Sequence, residues 1–311
     1  MAQPKIGLAL GGGGARGLAH IGVLKAFEQN AIPIHCISGT SIGALVGGAY
    51  AFAPDSEQVK KRIYELISSE IYDNSGLDLF AKGEPAENFF GQVAKYVRQR
   101  VVINLAHRRN SLVSGRRLES VVDFLLPDQN IESAQMPLAV VATDLNRGED
   151  VVFTAGSLRK AALASSSIPG FLPPLKYNGY VLTDGVVTNP VPVQAAFDLG
   201  AEIVVAVDVS QELDRIGEEL SIIDVMFRGN AITSRSLREM HLQRANFVLR
   251  PEVGQTHWAD FGEFDALIQT GEVAALEQMG AISSSIKNHG SLWHKMLGWV
   301  SSREPKNGEG N

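Results

Sequence analysis

The stretch that most constrains the fold is Gly39-Thr40-Ser41-Ile42-Gly43, read together with its flanks. Ile34 to Ser38 is a short apolar run with β-branched residues and predicts a buried strand. Ala44 to Tyr50 is rich in Ala, Leu and other small residues and predicts a buried helix. A strand that turns straight into a helix through G-x-S-x-G fits a nucleophile elbow. The serine of such a turn sits in a strained backbone conformation. Side chains two positions to either side would collide, so Gly39 and Gly43 flank it. The turn lifts the Ser41 hydroxyl above the sheet at a helix N-terminus, where the dipole favours negative charge. The competing account is a glycine-rich turn whose serine only caps the helix. The strand before and the helix after favour a nucleophile.

A second glycine cluster lies upstream. Lys5 to Leu10 predicts the first strand, and Gly11-Gly12-Gly13-Gly14-Ala15-Arg16-Gly17 follows at once. Leu18, Ile21, Leu24 and Phe27 then recur at helical spacing. Gly12, Gly14 and Gly17 satisfy G-x-G-x-x-G, but a dinucleotide site also needs an acidic residue at the end of the next strand. That place holds Cys36, Ile37 and Ser38. A P-loop fails too, because Leu18 and Ala19 follow Gly17. A glycine run opening a helix still aims several backbone N–H groups at one point. Beside a serine nucleophile, such donors suit an oxyanion hole. Arg16 adds positive charge to the same loop, with a structural ion pair as its alternative role.

The opening strand–loop–helix–strand–elbow–helix order predicts an α/β fold with a parallel sheet. Helical patterns follow over Asp55–Glu70, Pro85–Arg100 and Ser114–Leu126, with a loop over Asn74–Glu84. Because no strands alternate with them, residues of about 55–130 are expected to form a helical cap or insertion. Arg98, Arg100, Arg108 and Arg109 are read as a solvated basic face in preference to an anionic-lipid contact. Pro137–Thr143 and Asp150–Thr154 predict a hairpin around Asn146-Arg147-Gly148, with Asp144 as a turn former. Ser157–Ser166 predicts a short helix. Asn189 and Pro190 are expected to open another, and Glu202–Asp208 is a further buried strand. A polar linker over Gln211–Glu219, a long helix to about Gln243, a strand at Asn246–Arg250 and a helix over Glu263–Met279 complete the pattern. Asp184, followed by Gly185, and Asp208 both end strands, where α/β folds place ligand-facing groups. The pattern alone does not choose between them.

Composition excludes several classes. The chain has 311 residues, 45% hydrophobic and 20% charged, with a net charge of -6. This suits a globular protein and argues against general nucleic-acid affinity. The single cysteine, Cys36, falls inside a predicted strand and reads as a core residue. No secretory signal or spanning helix is evident, so the expected location is cytoplasmic, with peripheral membrane contact as the alternative. No His/Cys/Asp set has zinc spacing and no EF-hand loop occurs, so neither metal nor cofactor is expected. Oligomeric state is not legible.

Gly12-Gly13-Gly14-Ala15-Arg16-Gly17, Gly39-Thr40-Ser41-Ile42-Gly43 and Asp184-Gly185, in that order, resemble the patatin-like phospholipase family. The resemblance is greatest to the bacterial branch related to the neuropathy-target-esterase catalytic domain. Ile168 to Pro174 and Asn189-Pro190 fit the same pattern. The resemblance implies a three-layer α/β/α fold with a mainly parallel central sheet, in one domain over residues 1–280. An amphipathic tail and disordered end would follow over 281–311. It further implies a lipid acyl hydrolase of phospholipase A or lysophospholipase type, acting on a lipid ester. Carried over by position, Ser41 is the nucleophile, Asp184 the base, and the Gly12–Gly14 backbone with Arg16 the oxyanion holder. One departure is Val186, where the family usually has Ala or Gly. Three rivals remain at this stage: a Ser–Asp–His hydrolase using His257, a non-catalytic regulator on the same fold, and a nucleotide-binding protein. His20 and His35 are read as structural.

Overall fold

The computed structural model describes residues 3–75, 115–213, 222–254 and 256–301. Eight strands form one sheet in the order β5-β6-β3-β2-β1-β7-β8, with β4 paired to β3. They are β1 (Ile6–Leu10), β2 (Cys36–Thr40), β3 (Leu138–Asp144), β4 (Glu149–Phe153), β5 (Leu175–Tyr177), β6 (Tyr180–Asp184), β7 (Ile203–Val207) and β8 (Phe247–Leu249). The pairs β1–β2, β1–β7, β2–β3 and β7–β8 are parallel, while β4, β5 and β6 add antiparallel pairs. The predicted hairpin is therefore present as β3–β4, and Asp144 turns it by accepting from the Asn146 amide.

The central strands are buried on both faces, and the faces differ in residue size. Ile6, Leu8, Leu10, Ile37, Val140, Val205 and Val207 point into the large core. Ala9, Cys36, Val204 and Ala206 point the other way, against Val193, Ala196 and Leu242. Alternation of side chains along a strand makes this possible. The large face carries α1 (Ala19–Gln29), α2 (Ile42–Phe52), α3 (Ser56–Ile67), α5 (Gly115–Leu125) and α6 (Leu158–Ser165). The short α4 (Glu70–Ser75) sits beside them. The small face carries α7 (Val193–Asp198) and the end of α8 (Ile222–Leu242). This is the expected α/β arrangement with helices on both sides of a mainly parallel sheet.

Local signals explain the helix boundaries. Asp55 caps α3 by accepting from the Glu57 and Gln58 amides, and Ser157 caps α6 through the Lys160 amide. Val59, Ile63 and Leu66 of α3 and Val121, Val122 and Leu125 of α5 join the large core. Two boundaries depart from the pattern. The helix after Pro190 starts only at Val193, because Asn189 and Pro190 hold the loop that carries the site. The last helix, α9 (Phe264–Ser301), runs past the expected end at Met279. Gly280, next to the expected end, lies between Met279 and Ile282, which are both buried in the core. Gly22 of α1 and Gly271 of α9 let these helices cross closely, since a Cβ on Gly22 would strike the Ile268 carbonyl. The Pro85–Arg100 helix, its basic residues and most of the 74–84 loop and 211–219 linker fall outside the described residues.

Candidate active site

The register of β3 brings the site together. Val140 and Val141 pair with both β2 and β4, so those strands lie on opposite edges of β3. Ala142 to Asp144 pair with both β4 and β6, so β6 lies on the same edge as β2. That edge is shared end to end. Thr40 stands opposite Val141 and Asp184 opposite the next residue, Ala142. Where β2 stops, β6 arrives from the other direction, and Ser41 meets Asp184 in the gap.

Ser41 has φ 56° and ψ -122°, a left-handed φ that costs a non-glycine residue about 1–3 kcal/mol. Surrounding bonds hold it there. Its amide donates to Ser165 Oγ at 2.8 Å, and Ser165 Oγ donates to the Val141 carbonyl at 2.6 Å. Its side chain makes no capping bond to α2. Instead Ser41 Oγ donates to Asp184 Oδ2 at 2.7 Å. That geometry disposes of the helix-capping account of this serine.

Asp184 is fully buried. Its Oδ1 accepts from the Val186 amide at 2.9 Å, and its Oδ2 is occupied by Ser41. Burial raises the carboxyl to about 7, while the bonds from Val186 and Ser41 oppose the rise. A carboxyl poised near neutral pH can both take and return a proton.

The glycine loop separates its amides into two sets. Gly11 N–H donates to the Val207 carbonyl at 3.0 Å and Gly12 N–H to the Pro190 carbonyl at 3.1 Å. The Gly12 amide, expected among the oxyanion donors, is thus already used in holding the loop. The Gly13 and Gly14 amides have no acceptor among the described residues. Neither does that of Ile42, the residue after the serine, whose place in the first turn of α2 leaves it no partner within the helix. Arg16 is buried, with Nε donating to the Gly13 carbonyl at 3.0 Å and Nη1 to Gln211 Oε1 at 3.1 Å. Burial lowers it to about 10, against the pull of Asp208, so it stays charged at neutral pH.

His20 clamps the loop from below. Its Nε2–H donates to the Gly11 carbonyl at 2.8 Å, and burial lowers the ring to about 4. It is therefore neutral, with Nδ1 buried as a bare acceptor. His20→Phe leaves the Gly11 carbonyl unsatisfied and should cost about 1–3 kcal/mol in urea denaturation. His20→Gln, which retains a donor, should recover part of that loss. Equal stability of both variants with the wild type would remove the clamp.

The rival residues lie near enough to Arg16 to interact with it electrostatically, but each is engaged by other partners. Asp208 pairs with Arg238 at 3.3 Å and Arg250 at 3.6 Å and accepts from the Ser210 amide. His257 Nδ1 accepts from the Ala259 amide at 3.1 Å, and its ring stacks on Trp258. Among the described residues, neither oxygen of Asp184 bonds to a histidine. His35 Nδ1 accepts from the Ile6 amide, and Cys36 is buried and free. Among the described residues, no cluster of His, Cys, Asp or Glu could hold a metal ion, and no helix is long and apolar enough to cross a membrane.

A cleft opens over Ser41, Gly12, Gly13 and Arg16. Val186 forms part of its wall and packs where a side chain on Gly12 would be. Ser210, Gln211 and Leu213 continue the wall, which Ala231, Ser234, Arg235 and Arg238 of α8 complete. These last four lie at helical spacing on one face of α8. Sequence reasoning missed the place of α8 in the site and the supporting role of Ser165. Arginines three apart on a predicted helix were the only signal for α8.

A mainly parallel sheet with a strained serine turn set against a buried aspartate defines an α/β protein with a serine–aspartate pair at the end of β2. The sequence profile of patatin-like phospholipase matches residues 8–197, and the chain belongs to that family. It is 34% identical over 206 residues to the patatin-like phospholipase domain-containing protein ZK370.4 of Caenorhabditis elegans, covering 66% of this chain and 13% of that protein. It is 28% identical over 295 residues to the neuropathy target esterase sws of Drosophila melanogaster, covering 86% of this chain and 19% of that protein. It is 30% identical over 297 residues to the lysophospholipase NTE1 of Mycosarcoma maydis, covering 88% of this chain and 14% of that protein. The chain thus spans under a fifth of the length of these relatives, and the expected likeness to neuropathy-target-esterase proteins is met.

Proposed function

We propose that this chain is a lipid acyl hydrolase, of phospholipase A or lysophospholipase type, acting through Ser41 and Asp184. The observation that carries the reading is the 2.7 Å bond from Ser41 Oγ to Asp184 Oδ2 at a strained elbow. The names of the relatives point to a lipid ester as substrate.

Ser41 Oγ attacks the ester carbonyl and passes its proton to Asp184. The negative charge that develops on the carbonyl oxygen meets the amides of Gly13, Gly14 and Ile42. One such donor is typically worth ~10²–10³ in turnover. Arg16 adds fixed positive charge beside Gly13. Asp184 returns the proton to the leaving alkoxide, leaving an acyl group on Ser41. Water then attacks the acyl carbonyl while Asp184 takes its proton; the bond from the acyl carbon to Ser41 Oγ breaks, Oγ takes that proton back from Asp184, and the fatty acid leaves.

A p-nitrophenyl ester series of increasing chain length tests this with wild type, Ser41→Ala, Asp184→Asn and His257→Ala. Ser41→Ala should lower turnover by about 10⁴ or more, and His257→Ala only slightly. If His257→Ala is folded and as inactive as Ser41→Ala, a triad replaces the dyad. A folded wild type that cleaves neither these esters nor lipids, and that a serine-reactive phosphonate does not label, would favour a regulatory role.

A further inference from the structure

Three arginines reach the wall of the cleft over Ser41, and Asp208, Glu212 and Glu239 lie behind two of them. The chain carries a net charge of -6. The described residues lining the cleft include Arg16, Arg235 and Arg238 but neither Asp nor Glu.

The three arginines are not equivalent. Arg16 is fixed by the Gly13 carbonyl and Gln211, next to the reacting serine. Arg238 has a buried side chain, wedged among Asp208, Glu212 and Glu239 at 3.3, 3.9 and 3.5 Å. Arg235 is about half exposed, at 48%, and pairs with Glu212 at 3.4 Å, whose own side chain is 70% exposed. An exposed pair of this kind is worth only about 0–1 kcal/mol and is readily exchanged for a better anion. Ser234, beside it on the cleft wall, supplies a hydroxyl donor. The rest of the wall is mixed, with Val186, Pro190, Leu213 and Ala231 offering apolar contact.

We propose that Arg235 and Ser234 of α8 form a phosphate subsite, which holds the phosphate of a glycerophospholipid while its ester carbonyl lies at Ser41. The guanidinium fork and the hydroxyl suit a phosphate's oxygens, and a neutral glyceride gains nothing from them. This deepens the reading of Ser41 as the reacting centre and rests on it. It makes the α8 face the element that separates phospholipid from neutral-lipid esters.

The test compares two short-chain substrates with one acyl group: monoacylglycerol 3-phosphate and the corresponding monoacylglycerol. The quantity read is the ratio of their kcat/KM values. Arg235→Gln should reduce the preference for the phosphate ester by about 10- to 100-fold. Ser234→Ala should reduce it less, and Arg235→Lys should restore part of it. A ratio unchanged by Arg235→Gln overturns the subsite, even if turnover falls on both substrates. Binding separates this result from a failure of the catalytic reading. The Ser41→Ala protein, with and without Arg235→Gln, is titrated calorimetrically with both compounds and with inorganic phosphate. Loss of affinity for the phosphate ester alone supports the subsite, whether or not the wild type is an esterase. Inorganic phosphate binding as tightly as the ester would make this a general anion site and overturn the headgroup assignment.

Discussion

Asp184→Asn is expected to abolish most turnover and, above neutral pH, to make the protein more stable. The first effect follows from the loss of the proton acceptor of Ser41, and a general base contributes on the order of 10²–10⁴ in rate. The second follows from burial. The folded protein holds the Asp184 proton up to about pH 7, whereas the unfolded chain releases it near the ordinary carboxylate value of 3.8. Between those values the native state binds more protons. Its stability is therefore full below about pH 4 and falls as pH rises toward about 7. The loss levels off above that, at a total on the order of 4 kcal/mol. The amide that replaces the carboxyl carries no charge to desolvate, and its carbonyl oxygen can still accept from the Val186 N–H. Thermal melts of wild type and variant should coincide most closely near pH 4 and diverge toward pH 8, with the variant melting higher. In wild type, kcat/KM should rise with pH along a one-proton curve centred near 7, because the carboxylate is the active form. His20 and His257, both lowered to about 4, do not titrate in that window. A variant less stable than wild type at pH 8, or a flat rate profile from pH 5 to 9, would contradict the buried base.

Gly43→Ala is expected to be strongly destabilising although it adds a single methyl group to the elbow. A Cβ at Gly43 would run into the Leu10 carbonyl and lie 2.9 Å from the Gly11 carbonyl oxygen. Both are backbone atoms, one ending β1 and the other opening the glycine loop, so no rotamer change relieves the clash. Overpacking of a rigid site costs about 1–3 kcal/mol or more, against a total stability of about 5–15 kcal/mol for a typical protein. Gly280→Ala, in α9, is the control. Nothing lies within 4 Å of the added carbon there. Removing a glycine from a helix interior should stabilise by about 0.5–1 kcal/mol. Urea midpoints should thus move in opposite directions for two changes of identical chemistry. Wild-type stability for Gly43→Ala would mean that α2 does not approach β1 as closely as the elbow requires.

Much of the local structure was legible because its causes are local. The apolar run before Ser41, the small residues after it and the two flanking glycines leave the backbone few conformations. Asp55 and Ser157 mark helix starts because their oxygens reach amides two or three residues on. The β3–β4 hairpin follows from two β-branched runs around a turn sequence. The helix at Val193 was misplaced for a complementary reason. Asn189 and Pro190 have the composition of a helix start, but their carbonyls are engaged by Thr40 and Gly12.

The amino-acid sequence alone determined the serine turn, the strand and helix pattern around it, and a short set of candidate aspartates and histidines. Tertiary structure decided among them. Asp184 reaches Ser41 across 143 positions because β6 and β2 share one edge of β3, whereas Asp208, also at a strand end, is held by arginines. Tertiary contacts also used up the Gly12 amide, left those of Gly13 and Gly14 without an acceptor among the described residues, turned His257 Nδ1 to the Ala259 amide and set the arginines of α8 in the cleft wall. Turns and caps depend on neighbours along the chain. Partnership between distant side chains depends on strand register and helix packing, which no local pattern encodes.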